Sequence, residues 1–461
     1  EKELAIVKGR VDGLEARVGE LEATQFSTTT KLEGQTSFVI GANSFGGDLR
    51  YTQAQKDQIK AIFPEDGDSD IVVGSDDTDV DFPTGTTYQD YSASDYGATT
   101  FNYDIQLNFN TSFTGKDLLT TTLRAGNFGN SSFGGGPTTL STLEVASESF
   151  DPDFKRTGDT VYIDKIFYSA PIGSEFTFIV GANVGQDDMM PMWPSVYPSG
   201  DGNTVLDILT LNGAPGAYNK TQGPGVALNY ENNGWVAGLQ YVCDIATCVK
   251  GNPSDPDGGG IAADNSNGVG TVQLGYQAEQ WGIAAVYSWL QNPSLLPYAT
   301  AYTNLSYAQE NDNIDMSLNA FALSAYWQPE ETGWIPAISA GWGLNSTNFN
   351  GSDDVPDAFV STSQSWQVAL HWDDAFIQGN TAGMAVGQAT FATALKGGET
   401  PYDGNYVWEW FYGFQVTDNV TLTPALFYLS RPLGQLSFDG EQGKDGTYSQ
   451  FGGLLRTTFT F

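Results

Sequence analysis

Across 461 residues the chain carries 55 acidic against 19 basic side chains, a formal net charge of −36, with 54 glycines, 13% aromatic residues and a single histidine. The lack of a basic footprint excludes a nucleic-acid binder, which needs Lys and Arg to neutralise phosphates. No apolar run approaches the ~18 residues that a membrane helix requires.

The first 25 residues place Leu4, Val7, Val11, Leu14, Val18 and Leu21 at spacings of three and four, with Glu, Lys and Arg between them. This heptad stripe predicts a coiled-coil helix over 1–25, followed by a linker over 26–31. Three heptads span only about 30 Å and are marginal alone, so the helix needs partners or the body it leads into. Its Val and Leu positions lean toward two strands.

After Thr30 the period changes from 3.5 to 2, which predicts a barrel domain over 32–461. Phe101, Tyr103, Ile105, Leu107 and Phe109 alternate with Asn102, Asp104, Gln106, Asn108 and Asn110, one face apolar and the other wet. The alternation returns in Trp366, Val368, Leu370 and Trp372, and in Tyr406, Trp408, Trp410, Tyr412 and Phe414; faces this aromatic suit lipid and its interfacial girdles. Strands are expected near 32–43, 99–112, 117–127, 159–170, 174–183, 223–231, 234–243, 268–278, 281–290, 317–328, 334–345, 363–374, 380–391, 404–415, 419–429 and 448–461.

The links between them alternate in length. Glu231-Asn232-Asn233-Gly234, Ala278-Glu279-Gln280 and Val416-Thr417-Asp418-Asn419 are turns, whereas 44–98, 184–222 and 291–316 are long. Long links all on one side, short turns on the other and an even strand number together predict an all-β membrane protein: a sixteen-stranded antiparallel transmembrane β-barrel of the outer membrane, with an N-terminal coiled-coil helix. Parity places the helix and the terminal Phe461 on the periplasmic side. The loops 128–158 and 184–222 are the candidates to fold inward and constrict a pore.

Chemistry-bearing residues are few. His371 stands in the wet register of its strand, so a pore-lining role outweighs catalysis, and no acyl-transfer grouping can be assembled without it; the chain is expected not to be an enzyme. Asp104, Arg124, Glu409 and Arg456 also fall in the wet register, where they would set the field inside a pore. Cys243 and Cys248 are too few for a zinc site and read as a local disulfide of an oxidising exterior. The segment 64–95 holds ten acids and no base. Within it Asp66, Asp68 and Asp70 imitate the start of a calcium loop, but Ile71 and Asp77 depart from the pattern where Gly and Glu belong. A Ca²⁺ site there competes with a plain solvated loop, and no cofactor is required.

These features, with Phe26-Ser-Thr-Thr-Thr-Lys31-Leu-Glu-Gly34, Trp281-Gly-Ile-Ala-Ala-Val-Tyr-Ser-Trp289, Thr332-Gly-Trp-Ile-Pro-Ala-Ile-Ser-Ala-Gly-Trp342 and the closing Phe461, make the chain resemble the major outer-membrane porins of cyanobacteria, which look related to the carbohydrate-selective porins of proteobacteria. The resemblance implies homotrimers and passive diffusion of ions, iron or sugars. It also implies an S-layer-homology domain upstream of the coiled coil that grips peptidoglycan-linked polysaccharide, a domain absent from the sequence at hand. The expected function is passive diffusion of inorganic ions and small hydrophilic solutes. The rivals are a carbohydrate-selective porin and a structural anchor between outer membrane and peptidoglycan with a narrow or closed barrel.

Overall fold

In a bilayer every backbone N–H and C=O must find a partner within the protein, and a sheet can meet that demand only by closing on itself. The computed structural model describes residues 29–50, 87–129, 131–146, 149–150, 156–198, 205–254, 259–293, 296–305, 316–349, 355, 357–437 and 447–461. The expected coiled coil over 1–25 and the trio Asp66, Asp68 and Asp70 lie outside these residues.

Sixteen strands close the barrel: β1 (Thr30–Gly47), β2 (Thr100–Thr111), β3 (Leu118–Gly126), β4 (Tyr162–Ile172), β5 (Phe176–Gly185), β6 (Gln222–Asn232), β7 (Trp235–Cys243), β8 (Gly268–Gln277), β9 (Trp281–Gln291), β10 (Met316–Trp327), β11 (Ala337–Phe349), β12 (Val360–Asp373), β13 (Thr381–Leu395), β14 (Tyr406–Thr417), β15 (Val420–Ser430) and β16 (Tyr448–Thr460). Each pairs antiparallel with its neighbours in sequence, and β1 closes on β16 in register from Gln35↔Thr460 to Gly47↔Tyr448. Phe461 extends the seam: its N–H donates to Gly34 O at 2.9 Å and its carbonyl accepts from Gly34 N at 2.7 Å. The aromatic ring lies so close over Gly34 that a Cβ there would meet it at 2.3 Å.

Side chains alternate as the sequence requires. Leu228, Leu239, Leu274, Phe321 and Leu323 are exposed on the outer face, while Asn229, Gln240 and Gln273 are buried inside. At the short-turn end Tyr276 sits between Trp235 and Trp281, with ring centroids 5.2 and 5.5 Å away, and Phe376 lies between Trp334 and Tyr412 at 5.7 and 6.2 Å. Such clusters suit the membrane–water interface.

Several strands run further toward the long-loop end than the alternation predicts. β1 continues to Gly47, and its inward Phe45 stacks on Tyr448 at 6.3 Å. An aromatic on the inner face breaks the wet register that the sequence reading relied on, and the reason is that this end of the barrel is filled by protein.

Leu239, 63% exposed at the centre of β7, gives a direct test of the lipid face. Leu239→Arg is expected to cost ~2–4 kcal/mol, measured by guanidinium unfolding of the barrel refolded into phospholipid vesicles.

Candidate functional site

Two long loops turn into the barrel, and they are the two that the sequence nominates. The loop 186–221 crosses the interior and returns. On the outward leg Asn229 Nδ2 donates to Met189 O at 2.9 Å, and Gln273 brackets Met192 by accepting its N–H at 3.1 Å and donating to its carbonyl at 2.9 Å. Ser339 Oγ then accepts from Val196 N and Tyr197 N at 2.9 and 3.2 Å. The far point is Glu409 on β14, which accepts the Tyr197 hydroxyl and, at 2.7 Å, the N–H of Leu206. On the return leg Gln367 Nε2 donates to Leu209 O, Ser324 Oγ to Asn212 O and Ser288 Oγ to Ala217 O, at 3.0, 3.1 and 2.8 Å. Much of the wet face of β6–β12 thus satisfies loop backbone that would otherwise be buried without partners.

One close approach depends on glycine. A Cβ on Gly341 would lie 1.7 Å from Asn212 O, and one on Gly213, at φ +69°, would lie 2.4 Å from Gly341 O. Gly341→Ala should therefore push the loop off the wall at a cost of about 1–3 kcal/mol. The expected readout is a higher single-channel conductance from a barrel that still migrates as folded.

The loop 127–161 supplies Phe128, Phe133, Leu140 and Leu143, which pack with Leu206, Ile208 and Leu209 against Val39, Ala385, Val407, Phe427 and their neighbours on the inner wall. Each large apolar side chain so buried contributes about 1.5–3 kcal/mol before the entropy of ordering the loop is counted. The two loops are clamped together by an antiparallel bridge between Leu143 and Leu206, with Glu144 N donating to Val205 O and Asp207 N to Thr142 O, both at 3.0 Å.

That clamp brings Glu144 and Asp207 to the edge of a cavity of about 600 Å³ along the inner wall of β2–β4. Five carboxylates line it, from Glu144, Asp164, Asp187, Asp188 and Asp207, against three bases, Arg124, Lys165 and Lys220. Lys165 pairs with Asp188 at 2.8 Å and Lys220 with Asp207 at 2.7 Å. Burial alone would lower the Lys220 ammonium, but Asp207, Glu144 and Asp187 around it hold it above its usual value. Burial would likewise raise Asp207, yet Lys220 and the hydroxyls of Tyr298 and Thr210 keep it below the ordinary carboxylate range, whereas burial pushes Glu144 up. Amides and hydroxyls of Gln106, Asn108, Asn110, Thr120 and Thr122 form another wall.

Of the five residues singled out on strands as pore-lining, Arg124 lines this cavity, and Asp104, fully buried beside it, accepts from Arg124 Nε at 2.8 Å. Glu409 and Arg456 are buried under the inward loops. His371 is also buried, with Nδ1 3.6 Å from Asp373 Oδ1 and its ring 6.5 Å from Phe411. Cys243 and Cys248 are disulfide-bonded across the short helix α2 (Ile245–Cys248), their Cα atoms 5.8 Å apart; the preceding helix, α1, is Tyr88–Tyr96. Among the described residues no group of three or more His, Cys, Asp or Glu side chains is placed to hold a metal ion.

Sequence reasoning missed Asp164 and Lys165 because a register shift between Thr122 and Leu123 leaves Asp164 unpaired on β4. A bulge puts two consecutive side chains on one face. Glu144, Asp187, Asp188, Asp207 and Lys220 were missed because loop residues have no period to read.

At the long-loop end Asp403, 1% exposed, accepts from Thr300 Oγ1, Thr303 Oγ1, Ala392 N and Gln435 N. Arg431 and Tyr302 lie in its field. Burial pushes its carboxyl up to about 6. A raised folded value stabilises the loops below the ordinary carboxylate range, and that contribution fades as pH rises through about 6. Hydrogen exchange over 296–304 and 396–405, corrected for intrinsic rates, should accordingly show stronger protection at acid than at neutral pH, and Asp403→Asn should flatten the difference.

A closed sixteen-stranded barrel with inward loops beside a cavity lined by charged and polar side chains has the architecture of a porin. The chain matches the carbohydrate-selective porin family, OprB, over residues 1–461, and it belongs to that family, whose members are outer-membrane proteins. It is 26% identical to an uncharacterized protein of Nostoc sp., covering 100% of this chain and 70% of that protein, and 27% identical to one of Synechocystis sp., covering 100% and 73%. The high-pH structure of Pseudomonas putida OprB superimposes with a TM-score of 0.53 over 94% of each chain at 10% identity, a likeness of fold.

Proposed function

We propose that the protein passes small hydrophilic solutes and inorganic ions passively across the outer membrane, with a preference for cations at low salt. The observation that carries this reading is the excess of carboxylates over bases around the cavity left open by the two inward loops. Fixed charges at such close quarters act within the ~10 Å reach of electrostatics at 0.1 M salt. Reversal potentials in planar bilayers under a KCl gradient should report cation preference that grows as salt is diluted; anion preference would overturn the reading.

A second reading, a carbohydrate path, is favoured by the amide and hydroxyl wall of the cavity, by Phe167 and Trp193 beside it, and by the family. Aromatic faces and hydrogen-bonding amides suit sugar rings and hydroxyls. Liposome swelling across sugars and salts of graded size separates the two, because a sugar path discriminates among isomers of equal size.

The porin is further proposed to work as a homotrimer, with both termini at the periplasmic face. Both ends of the described barrel lie at the short-turn end, and periplasmic turns are the short ones in such barrels. The heptad stripe over 1–25 then leads toward the cell wall, where a coiled coil would serve as a tether.

A further inference from the structure

The cavity has a wall that neither inward loop supplies. Tyr298 belongs to the link after β9, at φ +48°, and its hydroxyl donates to Asp207 Oδ2 at the cavity. A tyrosine in the left-handed region is held against its own preference. The hold comes from β13: Thr390 N donates to Tyr298 O at 3.1 Å, Thr300 N donates to Thr390 O at 2.9 Å, and Ala299 bridges Thr390 in parallel.

The residues that follow are anchored away from the cavity. Thr300 and Thr303 donate their hydroxyls to Asp403 at distances of 2.6–2.8 Å, at the start of the short helix α3 (Ala301–Leu305). Leu296 N donates to Asn304 Oδ1 at 3.1 Å, which closes the segment on itself. Gly434, at φ +61°, leaves room for this junction, since a Cβ there would lie 1.7 Å from Asp403 Oδ1. Leu296, Ala299, Thr300, Thr303 and Asn304 are all buried.

We propose that Leu296–Asn304 is a third wall of the constriction, in which Tyr298 sets the width and charge of the path and Asp403, outside the cavity, is the positioning residue that seats it. This rests on the porin reading, because it names what limits that same passage. Tyr298 fills space between the barrel wall and the two inward loops, and its hydroxyl occupies one oxygen of Asp207 while Lys220 occupies the other. Removal of the ring opens the path. Removal of the hydroxyl alone leaves the width unchanged and frees carboxylate charge to face it.

The test uses the full chain in planar bilayers and liposomes. Tyr298→Ala should raise single-channel conductance roughly twofold or more and raise swelling by larger sugars relative to smaller ones. Tyr298→Phe should keep the conductance and shift the permeability ratio toward cations. Asp403→Ala, which leaves Thr300, Thr303, Ala392 and Gln435 without their shared acceptor, should reproduce the widening of Tyr298→Ala with Tyr298 intact; Thr300→Val provides the same loosening if that variant does not fold. Wild-type conductance and swelling in Tyr298→Ala, from a barrel with heat-modifiable migration, overturns the proposal. Widening by Tyr298→Ala without widening by Asp403→Ala or Thr300→Val overturns the role of Asp403. A closed wild-type barrel that Tyr298→Ala opens supports the third wall and refutes the porin reading, and barrels closed in every variant refute both.

Discussion

A barrel closed to satisfy its backbone in lipid encloses an interior that water or protein must fill, and this chain fills most of it with its own loops. The polar inner face of β6–β12 finds partners in loop backbone, so Gln273, Ser339, Ser324 and Gln367 are structural groups rather than free pore lining. Opposite them, Val39, Ala385, Val407 and Phe427 offer an apolar wall to Phe133, Leu140 and Leu209. Among the described residues a cavity stays open along β2–β4, and its charged side chains stand there.

The architecture was legible because each strand must alternate in order to have one face in lipid. Every expected strand from 32–43 to 448–461 has a counterpart, and the disparity between turns and loops survives in the structure. The inner face was less legible. A wet register identifies Arg124 and Glu409 as inward, but it does not distinguish a side chain at the cavity from one clasping a loop. Both are polar for the same reason, since each must form hydrogen bonds inside a closed sheet. The apolar inward residues Phe45, Val407 and Phe427 break the alternation, and their partners lie far away in sequence.

The lining of the cavity was the least legible part. Arg124 on β3 follows the alternation, but the other acids and bases come from the bulged β4 and from two loops, and Tyr298 from a third, positions with no periodicity. Two loops were nevertheless recognisable as inward candidates, and both enter the barrel. The structure adds the clamp between Leu143 and Leu206, which turns two separate loops into one body bearing Glu144 and Asp207.

The seam between β1 and β16 joins the first strand to the last, and Phe461 covers Gly34 at its end. Insertion cannot be completed strand by strand from the N-terminus, because β1 keeps an open edge until the final residues arrive. The same geometry governs mechanics. Force entering through the residues before Thr30 runs along β1 and loads its two antiparallel ladders, to β2 and to β16, in shear, so all the hydrogen bonds of a ladder share the load instead of breaking one at a time. A barrel entered at its seam can bear a pull without tearing at its mouth.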